Sequence, residues 1–197
     1  MLIFESMAET VKRKKALFIV LLIFTIITIV LAVFSAISIS NGVFSINLDN
    51  VPYIKFLQGN AGLPVFIFNC IMVVGLVYAT IVLCFAKPYF AFIGIVFYLY
   101  FVYSQAVIFV SIIMIYGFFN VLIIIILLLI LLVLEFALLL LIILEVASMC
   151  NCGNYFKTCF NFSTSKLLLY TIILLAFIVV FCLVTMILRS FVVLLVY

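Results

Sequence analysis

FFNVLIIIILLLILLVLEFALLLLIILEV, residues 118–146, decides the fold class. Its two acidic residues are Glu135 in the middle and Glu145 at the end. As a helix the stretch would measure about 43 Å at 1.5 Å per residue, against roughly 30 Å for the hydrocarbon core of a bilayer. The run is therefore expected to cross a membrane, to tilt or protrude, and to put Glu145 at the inner surface rather than in lipid. Four more runs share its character: 16–38, 63–86, 89–115 and 167–188. All five lie between 22 and 29 residues in length, and roughly 20 helical residues suffice to span.

The whole chain agrees with that reading. Of its 197 residues 73% are hydrophobic and 7% charged, where soluble domains average roughly 45–50% and 25%. So much apolar surface has no place to hide in a soluble domain of this size, and the solvent for most side chains is lipid. Continuous apolar runs favour helices, which satisfy their own backbone bonds; barrel strands would alternate in segments of about ten residues. The expected class is all-α, a polytopic helical membrane protein of about five spans. The net charge of +4 arises from few residues and gives no reason to expect a nucleic-acid partner.

Charge placement sets the orientation. Lys12-Arg13-Lys14-Lys15 precedes the first run and is expected to hold the N-terminus in the cytoplasm. Threading five crossings leaves Lys87, Lys157 and Lys166 on the same side and only Lys55 and Arg189 opposite, which predicts an N-in, C-out topology. The weakest run is the last, interrupted by Arg189 and Ser190. The first run is about twice as long as the apolar part of a secretory signal and reads as an uncleaved signal anchor.

The organisation is a basic cytoplasmic segment 1–15, with Glu9 and Arg13 one helical turn apart, then the anchor span 16–38, an outside segment 39–62, and a helical membrane bundle 63–197. The outside segment is punctuated by Asn41-Gly42, Asp49-Asn50, Pro52 and Gly59-Asn60. Its apolar piece 51–57 suits either a stretch lying on the bilayer or a loop that docks a partner. In the inner loop 147–166, Ser163-Thr164-Ser165 offers caps for the last span.

Polar residues inside the runs are the candidates for function. A charge at the depth of Glu135 costs about 3 kcal/mol on insertion scales, so it calls for a partner or a proton. Ser104 and Gln105 sit at similar depth on the preceding run, and a Glu135–Gln105 hydrogen bond is expected between antiparallel neighbours. Two readings stand: a neutral glutamate joining helices, or an ion or proton site lined also by Asn69. Asn69 and Asn120 otherwise serve interhelical packing. The pairs Ala32 and Ala36, and Gly75 and Ala79, are small residues four apart and suggest that spans one and two pack along these faces.

Cys150, Cys152 and Cys159 cluster in the inner loop, but zinc takes four ligands and the chain has no histidine. Reduced thiols or palmitoylation explain them better than a metal. Without histidine, a phosphate-binding loop or paired intramembrane aspartates, no enzyme motif is present and no cofactor is expected.

The layout resembles the stage II sporulation protein M family of bacterial envelope proteins. The likeness rests on the basic start Val11–Lys15, the anchor span, the outside segment and the cluster of four spans. Lys87 ends a Leu/Ile-rich second span, and Tyr116-Gly-Phe-Phe-Asn120 leads into the fourth as a tyrosine-glycine turn does in that family. The chain departs from the pattern in having Glu135 where a Pro-containing polar break stands, and in its few glycines. The resemblance implies a non-catalytic scaffold or accessory subunit in the bacterial cytoplasmic membrane that recruits or anchors peptidoglycan-remodelling proteins. Besides the lipid bilayer, its partners would then be other membrane or envelope proteins. The alternative is a transport component, a permease subunit or small carrier, with Glu135 as its ion or proton site.

Overall fold

Runs of Leu, Ile, Val and Phe without an interior proline leave the backbone one way to satisfy its hydrogen bonds in lipid, and the computed structural model is built accordingly. It describes residues 2–40, 52–86, 91–116, 122–150 and 156–196, with the side chains omitted at several helix ends. These residues form seven helices: α1 (Leu2–Arg13), α2 (Lys15–Ser40), α3 (Pro52–Leu57), α4 (Leu63–Ala86), α5 (Ala91–Tyr116), α6 (Leu122–Cys150) and α7 (Phe156–Val196). Five of them, α2 and α4 to α7, are long and apolar enough to cross a membrane. The protein is an all-α polytopic helical protein.

Helix α5 lies between α2 and α4, and α6 lies between α4 and α7, with α6 also touching α1, α2 and α5. That central place shows in its burial. In the span of α6, 56% of residues are buried, against 17–28% in the others. From Leu138 to Leu144 every side chain of α6 is buried. Leucine and isoleucine on all sides of this part of α6 thus have protein neighbours, whereas its earlier turns expose residues such as Ile126 and Val133, and α2, α4, α5 and α7 turn apolar side chains such as Phe34, Phe68, Leu83, Phe92 and Leu168 outward. An outer surface of this kind fits hydrocarbon as solvent.

The ends of the bundle are tied by different chemistry. At one end α1 packs on α6: Thr10 Oγ1 donates to Glu145 Oε1 at 2.5 Å, Arg13 donates to the same oxygen at 3.0 Å, and Lys166 of α7 pairs with Glu9. Thr10 has spent its proton on Glu145, so the Tyr170 hydroxyl, 3.1 Å away, donates to it. At the opposite end Phe56 of α3 stacks on Phe66 of α4 with ring centroids 4.4 Å apart, and the Arg189 guanidinium lies 4.7 Å from the Phe56 ring. Lys166 and Arg189, both on α7, therefore stand at opposite ends. The chain enters its first span beside α1 and leaves its last beside α3.

Three local features sharpen or correct the sequence reading. The piece around α3 is a short helix that buries Phe56 and Leu57 against the bundle. A Schellman cap ends it, with Asn60 N–H bonded to the Lys55 carbonyl and Gly59 N–H to that of Phe56, and Gly59 adopts φ of 82°. Arg189 and Ser190 interrupt the apolar run but not the helix, as α7 continues to Val196 and Ser190 bonds back to the Met186 carbonyl. Nor do residues 163–165 start a helix, since α7 begins at Phe156 and α6 reaches Cys150, so the inner loop shortens to residues outside the described set.

Candidate functional site

A hydroxyl or amide in lipid must find its partner nearby, and the helix backbone is the nearest acceptor. Thr28, Ser35, Ser38 and Thr80 each donate to the carbonyl four residues back at 2.7–2.9 Å, and Ser111 and Thr185 do the same in the interior. Asn69 donates from Nδ2 to the Val65 carbonyl at 2.9 Å, and Ser104 to that of Phe101 at 2.9 Å. Glutamate and glutamine have longer side chains and, for Glu135, no proton donor to offer a carbonyl when ionised. Among the described residues of the spans, Gln105 and Glu135 make no hydrogen bond, and neither do Tyr100 and Tyr103.

Gln105 and Glu135 face the same space. A half-open cavity of about 220 Å³ lies between α4, α5, α6 and α7, lined by Asn69, Ser104, Gln105 and Glu135 together with apolar residues including Phe66, Val73 and Phe181. The four polar residues singled out from the sequence thus meet at one place, brought there from three helices. The expected hydrogen bond between Glu135 and Gln105 does not form; each side chain turns to the cavity instead. Glu135 is 8% exposed, deep enough that water does not solvate it freely.

Buried apolar side chains flank the cavity along its helices, Phe101, Val102, Phe136 and Leu174 toward the α1 end and Ile112, Leu128 and Leu132 toward the α3 end. The last three line a smaller adjoining cavity that also touches Gln105 and Phe181. Cys70 belongs to the wall and meets Cys182 of α7 thiol to thiol, both cysteines being free, and Cys182 lies close enough to Glu135 to interact electrostatically. Sequence reading overlooked this pair because the two residues are separated by two other spans. Among the described residues no three His, Cys, Asp or Glu side chains are placed to hold a metal ion.

The small-residue pairs behave differently from each other. Ala32 and Ala36 are fully buried, but against Ala106 and Val107 of α5 and not against α4. Gly75 and Ala79 are exposed, and a Cβ added at Gly75 would meet nothing within 4 Å. The expected packing of spans one and two along these faces is thus replaced by packing of α2 on α5, which inserts itself between them. Asn120, Cys152 and the side chains of Cys150 and Cys159 lie outside the described residues.

A second polar centre was missed altogether. Glu145 is fully buried beneath α1, where Arg13 and Thr10 neutralise and bond it. The threading of charges already put Arg13 and Glu145 at one membrane face, and that was the available signal. Glu9 beside Lys166 has its carboxyl held below the ordinary 4.5, first by the hydrogen bond from the ammonium and then by its charge.

The chain matches no known protein family, curated protein or solved structure.

Proposed function

We propose that the protein is a non-catalytic membrane subunit that holds a partner within the bilayer, the partner helix placing a hydrogen-bond-donating side chain in the Glu135 cavity. The observation that carries this reading is that Glu135 and Gln105, neither of them hydrogen-bonded, line one half-open cavity. A buried acceptor without a donor costs about 1–3 kcal/mol, and a donor brought by a partner recovers it on assembly. Lysine, arginine or an amide on the partner suits Glu135, while Gln105 supplies both a donor and an acceptor. A role in the bacterial cytoplasmic membrane, anchoring cell-wall-remodelling proteins as the stage II sporulation protein M family does, is compatible with such a subunit.

In-cell photo-crosslinking from Val73, at the cavity mouth, tests the reading. A partner captured by the wild-type chain and lost with Glu135→Leu supports it; a chain that purifies alone with no crosslinked protein overturns it.

The convergence of Asn69, Ser104, Gln105 and Glu135 also favours a second reading, a transport component with Glu135 as its ion or proton site. That reading requires flux in liposomes that Glu135→Gln abolishes.

A further inference from the structure

A different cavity lies at the α1 end. Met7, Ala8, Val11 and Lys12 of α1, Phe18 and Leu22 of α2, and Ala137, Leu140 and Leu141 of α6 enclose a groove of about 480 Å³ whose walls are wholly apolar. Lys12 contributes its aliphatic stem to the wall and is itself exposed, so its ammonium stands at the rim. Helix α1 roofs the groove, and α2 and α6 are membrane spans, so the groove extends from the interfacial layer into the hydrocarbon. An empty apolar groove in that position is filled by whatever apolar chain the bilayer supplies.

The charge at the rim selects among the lipids. Arg13 and Lys166 have acidic partners in Glu145 and Glu9, but Lys12, Lys14 and Lys15 form no ion pair among the described residues. Lys12 at the groove's rim, followed two and three residues later by Lys14 and Lys15, calls for a phosphate and a further negative charge in the headgroup. We infer that this groove is a binding site for an anionic phospholipid, one acyl chain lying between α1, α2 and α6 and the headgroup held by Lys12 and the neighbouring lysines. A lipid seated there would fix α1 from the side that the Glu145 and Glu9 contacts leave uncovered. The inference is independent of the Glu135 cavity.

Native mass spectrometry of the full chain released from nanodiscs of equal parts phosphatidylglycerol and phosphatidylcholine, with matched acyl chains, tests the site. We expect one phosphatidylglycerol retained per chain in preference to phosphatidylcholine, Lys12→Gln and Lys15→Gln each lowering retention about fivefold. Ala137→Phe, at an exposed position of the groove wall, should fill the groove and abolish retention while thermal melting stays unchanged. Equal retention of the two lipids, or retention indifferent to Ala137→Phe in a chain that melts normally, overturns the proposal. So does a protein dimer lost with Ala137→Phe while lipid retention persists, because the groove would then house a second copy.

Discussion

Replacing Glu135 by leucine separates a binding carboxyl from a structural one. Leucine has similar reach and no polar atom, and position 135 is 8% exposed in a surround that includes Phe66, Val73, Ile178 and Phe181. The carboxyl has no hydrogen bond to lose. Removing a buried unsatisfied group recovers about 1–3 kcal/mol, even if it is counted as neutral, and leucine adds apolar contact where the carboxyl made little. Glu135→Leu should therefore stabilise the isolated protein by about 1–3 kcal/mol, raising its melting temperature by about 2–4 °C for each kcal/mol. Glu135→Gln, which keeps polar atoms in the cavity, should change stability by less.

Fluorescence-detected melting in a mild detergent measures both variants against wild type, and in-cell crosslinking measures assembly in parallel. Higher stability joined to weaker assembly is the pattern expected if the proposed partner's donor meets the Glu135 carboxyl. If Glu135→Leu instead lowered stability by more than about 1 kcal/mol, the carboxyl would be holding helices together, and the reasoning from its missing partner would be refuted.

Arg13→Ala leaves Glu145 buried with Thr10 as its donor. A fully buried pair would lose about 3–5 kcal/mol, but Arg13 is 35% exposed and Thr10 remains, so about 1–2 kcal/mol is expected, read as faster protease cleavage or hydrogen exchange in α1. Glu145→Leu in the same background should restore much of that protection. The Glu9–Lys166 contact contributes fully above pH 4.5, because the folded carboxyl titrates lower than the unfolded one, and its contribution is lost as pH falls below that value. Exchange in α1 should accordingly rise on acidification through that window, and Lys166→Gln should flatten the dependence. Ala36→Leu, pushed into the α2–α5 contact, should cost about 1–3 kcal/mol of melting stability, whereas Gly75→Leu should be tolerated without loss.

The fold class was legible because length and hydropathy act on each run separately. A stretch such as 118–146 has to be a spanning helix whatever its neighbours are, and the structure places one there from Leu122 to Cys150. Which faces meet is a joint property of two helices. Ala32 and Ala36 announced close packing correctly in kind, yet nothing in the chain says whether α4 or α5 takes the place beside them. Aromatic residues settle it in the structure: Tyr98 of α5 reaches Thr25 of α2 at 3.2 Å and the Phe136 carbonyl at 3.4 Å, tying three spans together around α5. Such bonds carry no short-range sequence signal. The same applies to Cys70 and Cys182, and to Thr171 bonded to Tyr78 at 3.0 Å across ninety-odd residues.

Polar residues were easier to find than to interpret. Against an apolar background Glu135 stands out at once, and the cost of burying it predicts a partner on physical grounds alone. The sequence offers Gln105 at matching depth, and simple economy pairs them. In the structure Glu145 follows that rule, having gathered Arg13 and Thr10, and Glu135 does not. One chain thus contains a glutamate whose donors are built in and another whose donors are not, ten residues apart on the same helix. The first lies at the end of the bundle, where α1 can reach it, and the second near the middle of its span, beyond the reach of α1. Position along α6 therefore separates the glutamate that fastens the chain's own N-terminal helix from the one that faces the cavity.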